Sequence, residues 1–273
     1  VTGSGWSLWR RQAWAVARHE LMRSTFSRRV LPVLLLAGMP FSLALLRALF
    51  MPDGQRADLG TTTEEFAQMF YFFQLRFIVF FACAMLFVKL FRAEILERSL
   101  HYNLLAPIRR DVLVAGKYLG GLLSAWIVLF GATGATLLVF YLAHGADGLR
   151  FLLSGAGVAQ IVGYLWVVAL ACVAYGALFL LAGLYFKNPM VPAILFLGWE
   201  VATPFLPPLL KRLSIVHYLG SLLPVPPSMG PLAILSQPVA EWIAVAGLLA
   251  AAAILLAASA RKARRLEVTY SAD

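Results

Sequence analysis

Two charges of opposite sign sit where water should not reach. Arg76 and Glu200 each lie roughly ten residues inside a long apolar run, about 15 Å from its end at 1.5 Å per residue. A charge at that depth needs a partner, so Arg76 and Glu200 are expected to pair, within one chain or between two copies. Such a pair either guards a route for cargo or serves only to neutralise itself. The other concentration of chemistry is the stretch EILERSLHYNLLAPIRRDVLVAGK from Glu94 to Lys117, lodged between two apolar runs. Helical spacing puts Ile95, Leu96, Ser99, Leu100, Asn103 and Leu104 on one side and Glu94, Glu97, Arg98, His101 and Tyr102 on the other, until Pro107 ends the helix. One face can bury against a partner or the bilayer while the other stays wet; an amphipathic surface loop is the plainer reading.

Residue types that do covalent chemistry are present but scattered. His19, His101, His144 and His217 are isolated, and the Glu64–Glu65 pair is expected in an outer loop without a matching base, so no acid–base constellation forms and no enzyme is expected. Cys83 and Cys172 fall inside apolar runs without metal spacing and read as buried thiols. No GxxxxGK[ST] phosphate loop occurs, and the Gly-rich SGAGVAQIVG from Ser154 to Gly163 is better explained by helix packing. No metal site and no bound cofactor are expected.

The elements that must carry these residues follow from composition. Hydrophobic residues make up 61% of the 273 and charged residues 13%, far more apolar surface than one soluble core could hide. The bilayer must be the solvent. Runs long enough to cross about 30 Å of hydrocarbon lie near Val30–Phe50, Phe66–Phe91, Val112–Ala143, Phe151–Phe186, Met190–Pro208 and Val239–Ala260, which predicts an all-α membrane protein of six transmembrane helices. Residues 1–29 then form a cytosolic interfacial helix, 30–260 the membrane domain and 261–273 a basic tail.

Orientation follows from the cations. Arg10, Arg11, Arg18, Arg23, Arg28 and Arg29 precede the first run; Lys89, Arg92, Arg98, Arg109, Arg110 and Lys117 surround the gap between the second and third; Arg261, Lys262, Arg264 and Arg265 follow the last. The opposite loops hold few, among them Arg56, Arg150, Lys211 and Arg212, so both termini are expected in the cytosol. This clustering at the ends of apolar runs also accounts for the net charge of +10 without nucleic acid. The first run is expected to be an uncleaved anchor, and Arg47, near the outer end of that run, to snorkel to the surface.

Two further segments are not simple spans. Between Trp6 and Arg23, Trp6, Trp9, Ala13, Val16, Ala17 and Leu21 share a face opposite Arg11, Gln12, Arg18, His19 and Arg23, with Arg10 and Glu20 as exceptions on the apolar side. Such a helix lies in the membrane interface, its arginines toward anionic lipid, as an anchor or a moving part. On the outer side, about 207–238, Pro224, Pro226, Pro227, Pro231 and Pro238 interrupt apolar pieces too short to cross; re-entrant half-helices or a packed outer loop are expected.

The order of basic amphipathic helix, two spans, a cytosolic ERSLHYNLLAPIRRDVLVAGKYLG segment and four more spans resembles the permeases of type-two ATP-binding-cassette (ABC) exporters. That family's recurring acid, Leu pair, Pro followed by an apolar residue, basic residue and Gly-Lys match Glu97, Leu104 and Leu105, Pro107 and Ile108, Arg109, and Gly116 and Lys117. The chain departs at Ser99–Tyr102, where the family often has Gly-Thr-Leu-Glu. The resemblance implies a permease of the bacterial cytoplasmic membrane that exports a substrate and works as a dimer with a second permease chain. A separate cytosolic ABC ATPase would hold the ATP and Mg2+. It also implies a coupling helix near 93–107 docking in that ATPase, with Leu100 and Leu104 as ridge and Glu94, Glu97, Arg98, Pro107 and Arg109 around it. The small-residue pairs Gly116–Gly120 and Gly131–Gly134 permit tight contacts, between chains or within one. A channel or scaffold subunit is the alternative class.

Overall fold

The computed structural model describes residues 5–25, 27, 30–50, 58–96, 108–186, 188–227 and 239–265, with side chains throughout except at 5–6 and 93–96. Every regular element among them is a helix. In chain order these are α1 (Gly5–Thr25), α2 (Leu31–Phe50), α3 (Leu59–Met69), a π-helical stretch (Phe70–Val79), α4 (Phe80–Leu96), α5 (Arg110–Leu142), α6 (Ala146–Leu153), α7 (Gly155–Tyr185), α8 (Met190–Ala202), a 3-10 turn (Thr203–Phe205), α9 (Pro208–Lys211), α10 (Ile215–Gly220) and α11 (Glu241–Arg264). Five segments are long and apolar enough to cross a membrane: Leu31–Phe50, Leu59–Arg92, Arg110–Leu142, Gly155–Tyr185 and Glu241–Arg264. The chain is a multi-pass, all-helical membrane protein.

Three boundaries differ from the hydropathy reading. The second span begins at Leu59, so Glu64 and Glu65 lie on a helix rather than in a loop. Arg47, instead of merely snorkelling, pairs with Glu65 and lies 5.0 Å from the Phe140 ring centre. The run expected at Phe151–Phe186 is broken at Ser154, whose extended backbone ends α6 and whose Oγ accepts from the Gly157 N–H at 3.2 Å, capping α7. Upstream, Gly145 turns the chain at φ 63°, and at Gly148 a Cβ would fall 1.8 Å from the Tyr141 carbonyl oxygen. The run expected at Met190–Pro208 holds a helix of only 13 residues. At 1.5 Å per residue that is about 20 Å, short of a full crossing. Pro204, Pro207 and Pro208 are the cause: they end α8 in the 3-10 turn and start α9 afresh.

The bundle is centred on α7, where Tyr164, Val167, Val168, Ala171, Ala174 and Tyr175 are fully enclosed. Against it α4 inserts the Phe87 ring into a notch at Gly176, where a Cβ would lie 2.6 Å from the ring. Phe66 meets Phe140 and Tyr164 edge-on, at centroid distances of 5.3 and 4.9 Å, and closes the far part of the same core.

Contacts define two ends. At one, α1 lies along the first turns of α5, and α11 finishes beside α5's start, with Lys262 4.8 Å from the Tyr185 ring at the end of α7. At the other, Thr62 bonds His144 at 2.9 Å, Thr63 bonds Tyr141 at 2.8 Å, and the Tyr141 hydroxyl donates to Gln160 at 2.9 Å. Of the proline-rich piece, described to 227, Val216 and Leu219 are fully buried and Pro224 covers Gly163 of α7, so this part packs on the bundle.

Candidate functional site

The segment between α4 and α5 leaves from the end of the bundle where α1, α5 and α11 meet. Of the residues expected to dock a partner, Glu94 lies in the last turn of α4, while Glu97, Arg98, Leu100, Leu104 and Pro107 fall outside the described residues. What the structure shows is how the chain is received on the other side. Arg109 is the extended residue that starts α5; its guanidinium lies 4.4 Å from the Trp9 ring of α1 and 3.5 Å from Asp111. The next residue, Arg110, donates to the carbonyls of Ala263 at 3.2 Å and Arg264 at 2.6 Å, filling acceptors that the end of α11 leaves open. Asp111 then takes the Arg264 guanidinium in a two-pronged pair, 2.7 Å on each oxygen. Three consecutive residues thus tie α5 to α1 and α11.

One and two turns further along, glycine lets α1 come close. A Cβ at Gly116 would fall 2.7 Å from the Val16 Cβ, and one at Gly120 would fall 2.7 Å from the Ala17 carbonyl oxygen. The Gly116–Gly120 spacing therefore serves packing inside the chain. Gly131 and Gly134 meet nothing within 4 Å and leave their side of α5 open. Between the two close approaches, Lys117 reaches Glu20 of α1 at 3.2 Å and the Leu90 carbonyl at 3.0 Å, over the Phe91 ring at 5.3 Å. Glu20, out of place on the apolar face of α1 by sequence, is there to meet Lys117. Asp111 with Arg264 went unnoticed in the sequence; an acid in the first turn after two arginines was the available sign.

Within the chain no salt bridge joins Arg76 and Glu200 among the described residues, although the Arg76 charge reaches Glu200 through space. Each has a nearer partner. The π-helical stretch sets residues five apart one above the other, so Arg76 Nη2 donates to the Tyr71 hydroxyl at 3.0 Å and lies 4.8 Å from its ring. Glu200 is gripped by the start of α10: the Ser214 hydroxyl donates at 2.6 Å, the Ile215 N–H at 2.9 Å and the Val216 N–H at 3.1 Å. Arg76 Nε and the Tyr175 hydroxyl, both buried, have no hydrogen-bond partner among the described residues. On α10 itself, the His217 N–H donates to the Ser214 hydroxyl oxygen at 3.2 Å. An apolar cleft of about 300 Å³ opens between the end of α7 and α8, lined by Phe179, Tyr185, Pro192 and Phe196.

Among the described residues no cluster of His, Cys, Asp and Glu could hold a metal ion. What the geometry offers is mechanical: a braced junction at one end and a broken helix latched by one carboxylate. No protein-family model matches the chain, and no curated protein matches it at a significant level.

Proposed function

We propose that the chain is the membrane-spanning permease of a type-two ABC exporter. The observation that carries this reading is the bracing of the α4–α5 connection. The residues just after the candidate coupling helix are tied to α1 through Arg109 and Trp9, to α11 through Asp111 and Arg264, and again to α1 through Lys117 and Glu20. A docking element transmits force only if its root is fixed to the helices it must move. The braced end also carries Arg10, Arg11, Arg18, Arg261, Lys262 and Arg265, a concentration of cations that supports reading it as the cytosolic side. In this reading α8 enters from the cytosolic side beside Tyr185 and meets the re-entrant α9–α10 piece, so that together they make the fifth of six crossings.

A separate cytosolic ATPase, with its ATP and Mg2+, docks on the segment near 93–107, and a second permease chain completes the transporter in the bacterial cytoplasmic membrane. Cargo leaves across the membrane or into its outer leaflet. The test is copurification from native membranes: an ABC ATPase accompanies the parent chain and is lost from Leu100→Asp/Leu104→Asp, whose helix content is unchanged. An ATPase retained by the double variant, or none with the parent, overturns the proposal.

A further inference from the structure

We infer that α1 and α5 together form a seat for one anionic phospholipid. Ser7, Arg10, Arg11 and Trp14 recur at the spacing of a single helical face, and with Ala13 and Leu119 of α5 they line a groove of about 550 Å³, the size of an ordinary ligand site. Its two ends differ in chemistry. Arg10 and Arg11 are exposed, have no ion-pair partner among the described residues, and are joined by no acid in the lining. Trp14 and Leu119, 60% and 41% exposed, supply an apolar wall, and Leu119 belongs to a helix long enough to cross the membrane. Arg10 was the second misplaced residue on the apolar face of α1; its place at the groove accounts for it.

A ligand that satisfies both ends has an anionic head and an apolar tail continuous with the bilayer. Two guanidiniums present planar forks that match the oxygens of a phosphodiester, and a tryptophan beside them sits at headgroup depth. Free phosphate or a nucleotide would use the arginines and leave Trp14 and Leu119 in water, so the occupant is a phospholipid with net negative charge, such as phosphatidylglycerol.

The inference rests on α1 lying at the inner membrane surface, and its test needs neither the ATPase nor transport, so a failed docking experiment leaves it standing. The purified chain in detergent is titrated with phosphatidylglycerol and with phosphatidylcholine, and bound lipid is read by native mass spectrometry. One phosphatidylglycerol is retained per chain in preference to phosphatidylcholine, and Arg10→Gln/Arg11→Gln weakens it about 30-fold. Arg18→Gln, on the same helix but outside the groove, leaves it within about twofold. Equal retention of both lipids, an equal loss in Arg18→Gln, or displacement of the lipid by inorganic phosphate alone overturns the assignment.

Discussion

Lys117→Met tests the braced end at its most buried charge. The substitution keeps the bulk of the stem and removes the ammonium 3.2 Å from Glu20, whose side chain is 8% exposed. No other described side chain donates to that carboxylate. Removing one member of a buried ion pair leaves the other uncompensated, at a cost of ~3–5 kcal/mol. At ~2–4 °C per kcal/mol, the unfolding midpoint in detergent drops by ~6–20 °C. Glu20→Gln is milder, because the Leu90 carbonyl at 3.0 Å and the Phe91 ring still hold the ammonium. Combining the two recovers stability relative to Lys117→Met, since no charge stays buried. An unchanged midpoint in Lys117→Met, or a double variant as unstable as the summed singles, refutes the reasoning.

Two other perturbations separate the parts of the bundle. Gly120→Ala drives a methyl to 2.7 Å from the Ala17 carbonyl and costs about 1–3 kcal/mol, read as a lower midpoint and faster proteolysis of α1, whereas Gly134→Ala, with open space around it, is neutral or stabilising by up to about 1 kcal/mol. Ser214→Ala removes one of the three donors on Glu200 and the cap of the His217 N–H, for a loss of about 2–3 kcal/mol in the same unfolding assay; an unchanged midpoint would show that the latch carries no load.

Hydropathy located the long helices because solvent exclusion acts on runs of side chains, and α2, α5 and α11 stand within a few residues of where apolar content put them. It started α8 correctly at Met190 but ran past its end, because a proline-broken run has the same mean hydropathy as an intact one. The π-helical stretch was illegible: FYFFQLRFIV carries nothing that distinguishes a five-residue from a four-residue hydrogen-bond step, yet that step is what hands Arg76 to Tyr71. Within the chain, Arg76 and Glu200 find nearer partners than each other for a related reason. Sequence shows which charges need partners, but hydroxyls and backbone N–H groups compete for them, and Ser214 with the first turn of α10 offers Glu200 three donors at once. By contrast the two anomalies on α1, Arg10 and Glu20, were visible as breaks in an amphipathic pattern. Glu20 marks the place where the helix meets Lys117.

The two ends of the bundle are held by different chemistry, and in the proposed exporter the difference bears on how a pull at the braced end would travel. Helix α5 runs unbroken for 33 residues from Arg110 to Leu142, about 50 Å, and is tied at its start to α1 and α11 and near its finish, through Tyr141, to Thr63 and Gln160. A displacement of its root therefore moves both ends together. The α8–α10 path is not one continuous helix, since Pro204, Pro207 and Pro208 interrupt its backbone ladder and Glu200 ties α8 to α10 across the gap. Strain from a moving α5 collects there, because a hinge yields where the fewest hydrogen bonds resist. Ser214→Ala should accordingly speed hydrogen exchange at 203–216 while leaving 110–121 protected, and Gly120→Ala should do the reverse. Equal loosening of both stretches by either variant would mean that lever and hinge are not separate elements.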